Sequence, residues 1–306
     1  MGPHDPRLFA AENRVRDPVC TPLVDALVES ARKKGSAVVV GLDPNPAHLP
    51  PEIAGKGLPE HLAARELCLD VLEAVEPHAA AIKLQSAYFE RLGPAGAAVY
   101  AEVLRASRDL GLPTIADVKR GDIGPVAAGY AEAHLFVYGA TTVTVNPYMG
   151  EDAVSPFLEE ARKLGRGGGA FVLVATSNPS AGDIQNASEP PLYEAAARLV
   201  ENLGRVGPSG YGDAGAVVGV TRPALGRRVR ELLPRALFLS PGYGAQSGDA
   251  AGVRALLDER DAGVLVNSSR GIIRAFEEAP ATDHKSAARD AARRMREDLA
   301  RAGVRA

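Results

Sequence analysis

Tryptophan is absent from this 306-residue chain, and cysteine occurs only twice, as Cys20 and Cys68. Two lone cysteines exclude a disulfide-framed fold and fit a reducing compartment. Cys68 lies in an apolar helical pattern, which predicts a buried, inert thiol. No apolar run approaches the roughly 18 residues that a membrane span needs. Residues 1–17 are polar and carry no apolar stretch of the secretory kind. The six histidines form no His-Glu-x-x-His or other metal-ligand pair, and no Gly-x-x-x-x-Gly-Lys-Ser/Thr loop is present. The net charge of −3 gives no general attraction to nucleic acid or to an anionic membrane. These absences leave a soluble, cytoplasmic protein that binds a small molecule as the expectation.

What the chain does have is 46% hydrophobic residues, arranged in short runs. Eight of them, at 37–42, 79–84, 113–118, 141–145, 170–175, 215–220, 236–239 and 262–266, are nearly continuous rather than alternating. That pattern suits parallel strands covered on both faces. Helical patterns separate them, at 60–76, 95–110, 125–138, 152–164 and 192–206. Eight strand–helix units in about 230 residues predict a single-domain α/β fold, a (β/α)8 TIM barrel over residues 23–280. An open doubly wound sheet is the alternative, weakened because no Gly-x-Gly-x-x-Gly follows the first strand. Residues 1–22 read as an extension or lead-in helix, and 281–306 as a C-terminal helix on the barrel.

A barrel keeps its chemistry at the C-terminal ends of its strands. The third run ends Asp117-Val118-Lys119-Arg120-Gly121-Asp122. Side chains two apart on a strand share a face, so Asp117 and Lys119 point the same way. An ion pair plus an N-capping aspartate would use the same letters, but three charges converging on one strand end favour a site. Lys83 stands inside the second apolar run, where an amine is costly unless paired, and Asp43 or Asp117 is the expected partner. Asp43 itself, before Pro44, is either a turn residue or a carboxylate for a sugar hydroxyl. Ser177, in Thr176-Ser177-Asn178-Pro179, is either a turn hydroxyl or a hydrogen-bonding group for a planar heterocycle. The seventh run ends in Pro241-Gly242-Tyr243-Gly244-Ala245-Gln246 and the eighth in Asn267-Ser268-Ser269-Arg270-Gly271. Amides at a helix start together with an arginine suit an anion, and barrels commonly bind phosphate after strands 7 and 8.

With these motifs the sequence resembles orotidine 5′-phosphate decarboxylases, in particular the longer bacterial subgroup (type 2). The likeness runs from about Val38 to Ile273 and includes the Asp-x-Lys-x-x-Asp segment at 117–122, 176–179 and 241–246. The resemblance implies a homodimer with shared active sites and conversion of orotidine 5′-phosphate to UMP with no metal and no organic cofactor. It implies that Lys119 protonates C6 of the pyrimidine, that Asp117 lies beside the leaving carboxylate and that Asp122 reaches the partner's site. It further implies that Asp43 and Lys83 hold ribose hydroxyls, that Ser177 meets the pyrimidine edge, and that Ile123 and Pro241 line the substrate. Gln246 and Arg270, with amides near Ser269, would bind the phosphate. Ser269 and Val126 depart from relatives that carry Gly and Thr there. The competing reading within the superfamily is a metal-dependent ketose-phosphate decarboxylase or aldolase; a non-catalytic nucleotide-sensing barrel is the competitor of another class.

Overall fold

The computed structural model describes residues 25–164, 169–244 and 249–305. Its centre is a closed barrel of eight parallel strands in sequence order. They are β1 (Val38–Leu42), β2 (Ala81–Gln85), β3 (Thr114–Arg120), β4 (Thr142–Val145), β5 (Gly169–Ala175), β6 (Gly212–Val218), β7 (Ala236–Ser240) and β8 (Val264–Ser268). The last strand closes on the first, with Val38 beside Val266 and Val40 beside Ser268.

Alternation along each strand divides the core into two shells. Val39, Ala81, Ile115, Phe171, Val217, Leu237 and Leu265 pack together inside the barrel. Val38, Val40, Ile82, Leu84, Val143 and Val266 face outward into the helical layer. Both faces are therefore dry, which explains the unbroken apolar runs. Large and small side chains complement one another within the interior: a Cβ at Gly215 would lie 2.6 Å from a ring carbon of Phe171.

All eight expected strands are present, but several reach further toward the C-terminal face than the apolar runs do. β3 continues to Arg120, β7 to Ser240 and β8 to Ser268. An apolar run stops where the packed interior stops; the strand stops where its ladder of backbone hydrogen bonds stops. The polar residues in that difference line the mouth. The helix expected at 125–138 is α-helical over Gly124–Glu132 and continues as a π-helical turn over Ala133–Val137. The one expected at 152–164 begins as a 3₁₀ turn at Glu151–Ala153 before Ser155–Lys163. That at 192–206 ends at Leu203, where Gly204 turns extended. The tail forms a helix over His284–Arg301 that packs on Glu60–Val75. His284 is buried there between carboxylates, Nδ1 to Glu52 at 2.5 Å and Nε2 to Asp70 at 3.0 Å.

At the opposite end of the barrel, in the layer between helix Pro223–Leu232 and the sheet, Arg230 is buried. Its guanidinium donates to the carbonyls of Leu233, Ala236, Leu256 and Gly263 and stacks 3.5 Å from the Phe238 ring centroid. A buried arginine is tolerated when its donors find acceptors, and these four bonds tie the entries of β7 and β8 together. Among the described residues no helix is long and apolar enough to cross a membrane. Cys68 is free and fully buried, and burial pushes its thiol pKa up, as an inert cysteine requires; Cys20 lies outside the described residues.

Candidate active site

The inward positions near the C-terminal ends of β2 and β3 are charged rather than apolar. Lys83 from β2 donates to Asp117 Oδ2 at 3.0 Å, and Lys119 donates to Asp117 Oδ1 at 2.5 Å. Asp43, just after β1, places Oδ1 3.9 Å from Lys83 Nζ. One carboxylate thus carries an ammonium on each oxygen, and a second carboxylate stands behind the deeper amine. Burial alone would raise the Asp117 pKa, but Lys83 and Lys119 outweigh it and hold the carboxyl well below the usual range. Burial likewise opposes the charge on Lys83, and Asp43 with Asp117 reverses this, so its pKa is raised. The two amines differ in access: the Lys83 side chain is 5% exposed and that of Lys119 is 44%. Lys83 is locked into the structure, whereas Lys119 opens on the cavity.

The backbone at Lys119 is unusual. Its φ is +46°, in the left-handed region that side-chain-bearing residues seldom occupy, at a cost of about 1–3 kcal/mol. Pairing with β4 shifts register here: β3 advances from Ala116 to Arg120 while β4 advances only from Val143 to Val145. The extra residues form a bulge that turns the Lys119 side chain back toward Asp117. Thr144 of β4 supports it. Its Oγ1 accepts from the amides of Val118 at 3.0 Å and Lys119 at 2.9 Å, and donates to Asp117 Oδ1 at 3.0 Å.

These groups open into a cavity of about 840 Å³ whose lining includes Lys83, Asp117, Lys119, Ser177, Pro241 and Asn267. Ser177 reaches the rim because Gly219 opposite has no side chain; a Cβ there would lie 2.8 Å from that of Ser177. Gln185 fixes the same loop, accepting from the Thr176 amide at 3.1 Å and donating to its hydroxyl at 2.7 Å. Two buried oxygens at the mouth, Asp43 Oδ1 and Asn267 Oδ1, have no hydrogen-bond donor among the described residues. Such acceptors suit the hydroxyl or N–H groups of a ligand.

Not every expected residue joins this cluster. Asp122 forms no ion pair with Lys119; its Oδ1 accepts from the Ile123 amide at 2.8 Å, and it turns away because the chain leaves the strand at Gly121. Ile123 is exposed beside it. Ser269 packs against Gly41, where a Cβ would fall 1.8 Å from its Oγ. Arg270 is exposed at the start of the short helix Arg270–Ile273. Neither Ser269 nor Arg270 lines the cavity wall. Gln246 lies outside the described residues. Thr144 and Gln185 carry no signal in the sequence, and Asn267 stands there only as part of the polar turn after the eighth run. Asn267 was findable, two residues beyond the inward Leu265; Thr144 sits in a Thr/Val run that signals only a strand.

Residues 36–284 match the orotidine 5′-phosphate decarboxylase / HUMPS family. An orotidine 5′-phosphate decarboxylase of Rhodopirellula baltica is 39% identical over 257 residues, covering 79% of this chain and 84% of that protein. One from Deinococcus radiodurans is 39% identical over 280 residues, covering 90% and 95%. Among solved structures, the Leishmania donovani OMP decarboxylase superposes with a TM-score of 0.74 at 34% identity, covering 92% of this chain and 98% of that one. With the family match spanning most of the barrel and relatives this similar over nearly their full length, the chain belongs to the orotidine 5′-phosphate decarboxylase / HUMPS family.

Proposed function

We propose that this chain decarboxylates orotidine 5′-phosphate to UMP in pyrimidine biosynthesis, with Lys119 as the proton donor and without a metal or organic cofactor. The observation that carries the reading is the accessible Lys119 amine held on Asp117 at the mouth of a nucleotide-sized cavity. Breaking the C6–carboxylate bond releases CO2 and leaves the electron pair on C6, where the ring cannot delocalise it. An ammonium fixed beside that carbon stabilises the developing charge and then transfers its proton to it. Asp117 has both oxygens bonded to amines. It orients Lys119 and sets negative charge beside the substrate carboxylate, an arrangement that favours loss of that group. The deeper Lys83 keeps Asp117 ionised without reaching the reacting carbon.

Asp43 and Lys83 are assigned to the ribose hydroxyls, Ser177 to the pyrimidine edge, and Ile123 and Pro241 to the walls of the substrate site. Arg270, Gln246 and the amides near Ser269 are assigned to the phosphate. Phosphate binding far from the reacting bond supplies energy that can be used to assemble the site. We assign a homodimer in which Asp122 enters the partner's cavity. The exposed Ile123, Val126, Tyr130, Tyr148 and Met149, on the segments after β3 and β4, support that face as the interface. The test is loss of orotidine 5′-phosphate absorbance with purified protein in EDTA. UMP formation at an undiminished rate is expected; activity that needs added Mg²⁺ would favour a metal-dependent sugar-phosphate enzyme instead.

A further inference from the structure

We infer that Thr144 is a positioning residue for the reaction, holding Lys119 and Asp117 in their working geometry; this rests on the reading of Lys119 as proton donor. A hydroxyl has one proton and two acceptor lone pairs. In Thr144 all three are committed: two adjacent backbone amides, of Val118 and Lys119, donate to Oγ1, so its proton goes to Asp117 Oδ1. That oxygen is the one that receives the Lys119 ammonium. A single side chain on the neighbouring strand therefore holds both the left-handed backbone from which the amine projects and the carboxylate on which it rests. The β3–β4 ladder cannot do this, because its register shifts between Ala116 and Arg120. Without the hydroxyl, two amides in the bulge lose their acceptor and Asp117 Oδ1 loses a fixed donor. The amine would remain in the cavity but would no longer be aimed. Thr144 need not touch the reacting atoms to act in this way.

The inference separates from a merely structural role by what each variant moves. Thr144→Val keeps shape and removes the hydroxyl; Thr144→Ser keeps the hydroxyl. We expect Thr144→Val to lower kcat by about 10- to 100-fold, the effect of a misplacement near 1 Å, while KM and UMP affinity stay within about threefold. Thr144→Ser should recover kcat to within about threefold of the parent. In a Lys119→Ala background, adding Thr144→Val should cost little more, because the group it positions is gone. Should the valine variant not fold, Thr144→Cys, a near-isostere with a weak acceptor, carries the same comparison. A valine variant as fast as the parent overturns the inference. So does an equal loss in both backgrounds, or a loss that serine fails to rescue. If Lys119→Ala itself turns over normally, the functional reading fails first. If Lys119→Ala is inactive and Thr144→Val is fully active, only the role of Thr144 fails.

Discussion

Lys119 Nζ sits 2.5 Å from Asp117 Oδ1, two residues back along the same strand, and is the more exposed of the two amines on that carboxylate. Replacing it with alanine should lower kcat by several orders of magnitude, on the order of 4 kcal/mol or more of transition-state stabilisation, while UMP still binds. Steady-state turnover beside calorimetric UMP titration checks this. Near-normal turnover would remove Lys119 from the reaction.

Asp117→Asn should damage stability as well as rate. It leaves Lys83 buried with only Asp43, 3.9 Å away, and removing one partner of a buried pair typically costs about 3–5 kcal/mol. The folded carboxyl is held below its ordinary pKa, so its contribution is complete above the unfolded value of 3.8 and is lost as pH falls toward and through the folded one. Denaturant melts of parent and variant should therefore differ most at neutral pH and converge in strong acid. A gap that does not shrink in acid would mean the loss is not electrostatic.

Arg270→Ala should act on binding. The side chain is exposed beyond β8, so its removal leaves the core untouched. Losing one charge-assisted contact to phosphate predicts a rise in KM of about tenfold or more with a smaller change in kcat. An unchanged KM would place the phosphate elsewhere.

His134 gives a pH effect away from the chemistry. Burial, reinforced by Arg120, lowers its pKa from 6.5 to about 4. The unfolded chain therefore binds a proton that the folded one refuses between those values. Stability should be complete above pH 6.5 and decline as pH falls toward about 4. His134→Phe should flatten that limb in thermal melts recorded across the window. An unchanged limb would assign the loss to other groups.

Much of the barrel was legible because its determinants are local. Eight dry strands need eight apolar runs, and the inward register of Asp117 follows from the period of two, whereas Lys119 reaches the same carboxylate only through the bulge that breaks that period. The site was legible where a charge interrupted such a run, as Lys83 does. Thr144 was not, because a threonine in a strand satisfies β-propensity whatever its hydroxyl does; only the bulge in the neighbouring strand gives it a role. Arg230 was equally hidden: on an amphipathic helix an arginine looks solvent-facing, and its four carbonyl acceptors come together only once β7 and β8 are in place. The π turn at Ala133–Val137 has the same cause, since an apolar pattern continues through it.

The seam between β1 and β8 has a bearing on synthesis. Asp43 follows the first strand and Asn267 lies within the last, so a nascent chain carries most of the reacting groups long before it can enclose them. Until Val264–Ser268 pairs with Val38–Val40, the barrel around the amine and carboxylates of β2 and β3 is not closed. Substrate affinity should therefore arise late and abruptly as the polypeptide lengthens, not in proportion to the number of strands made.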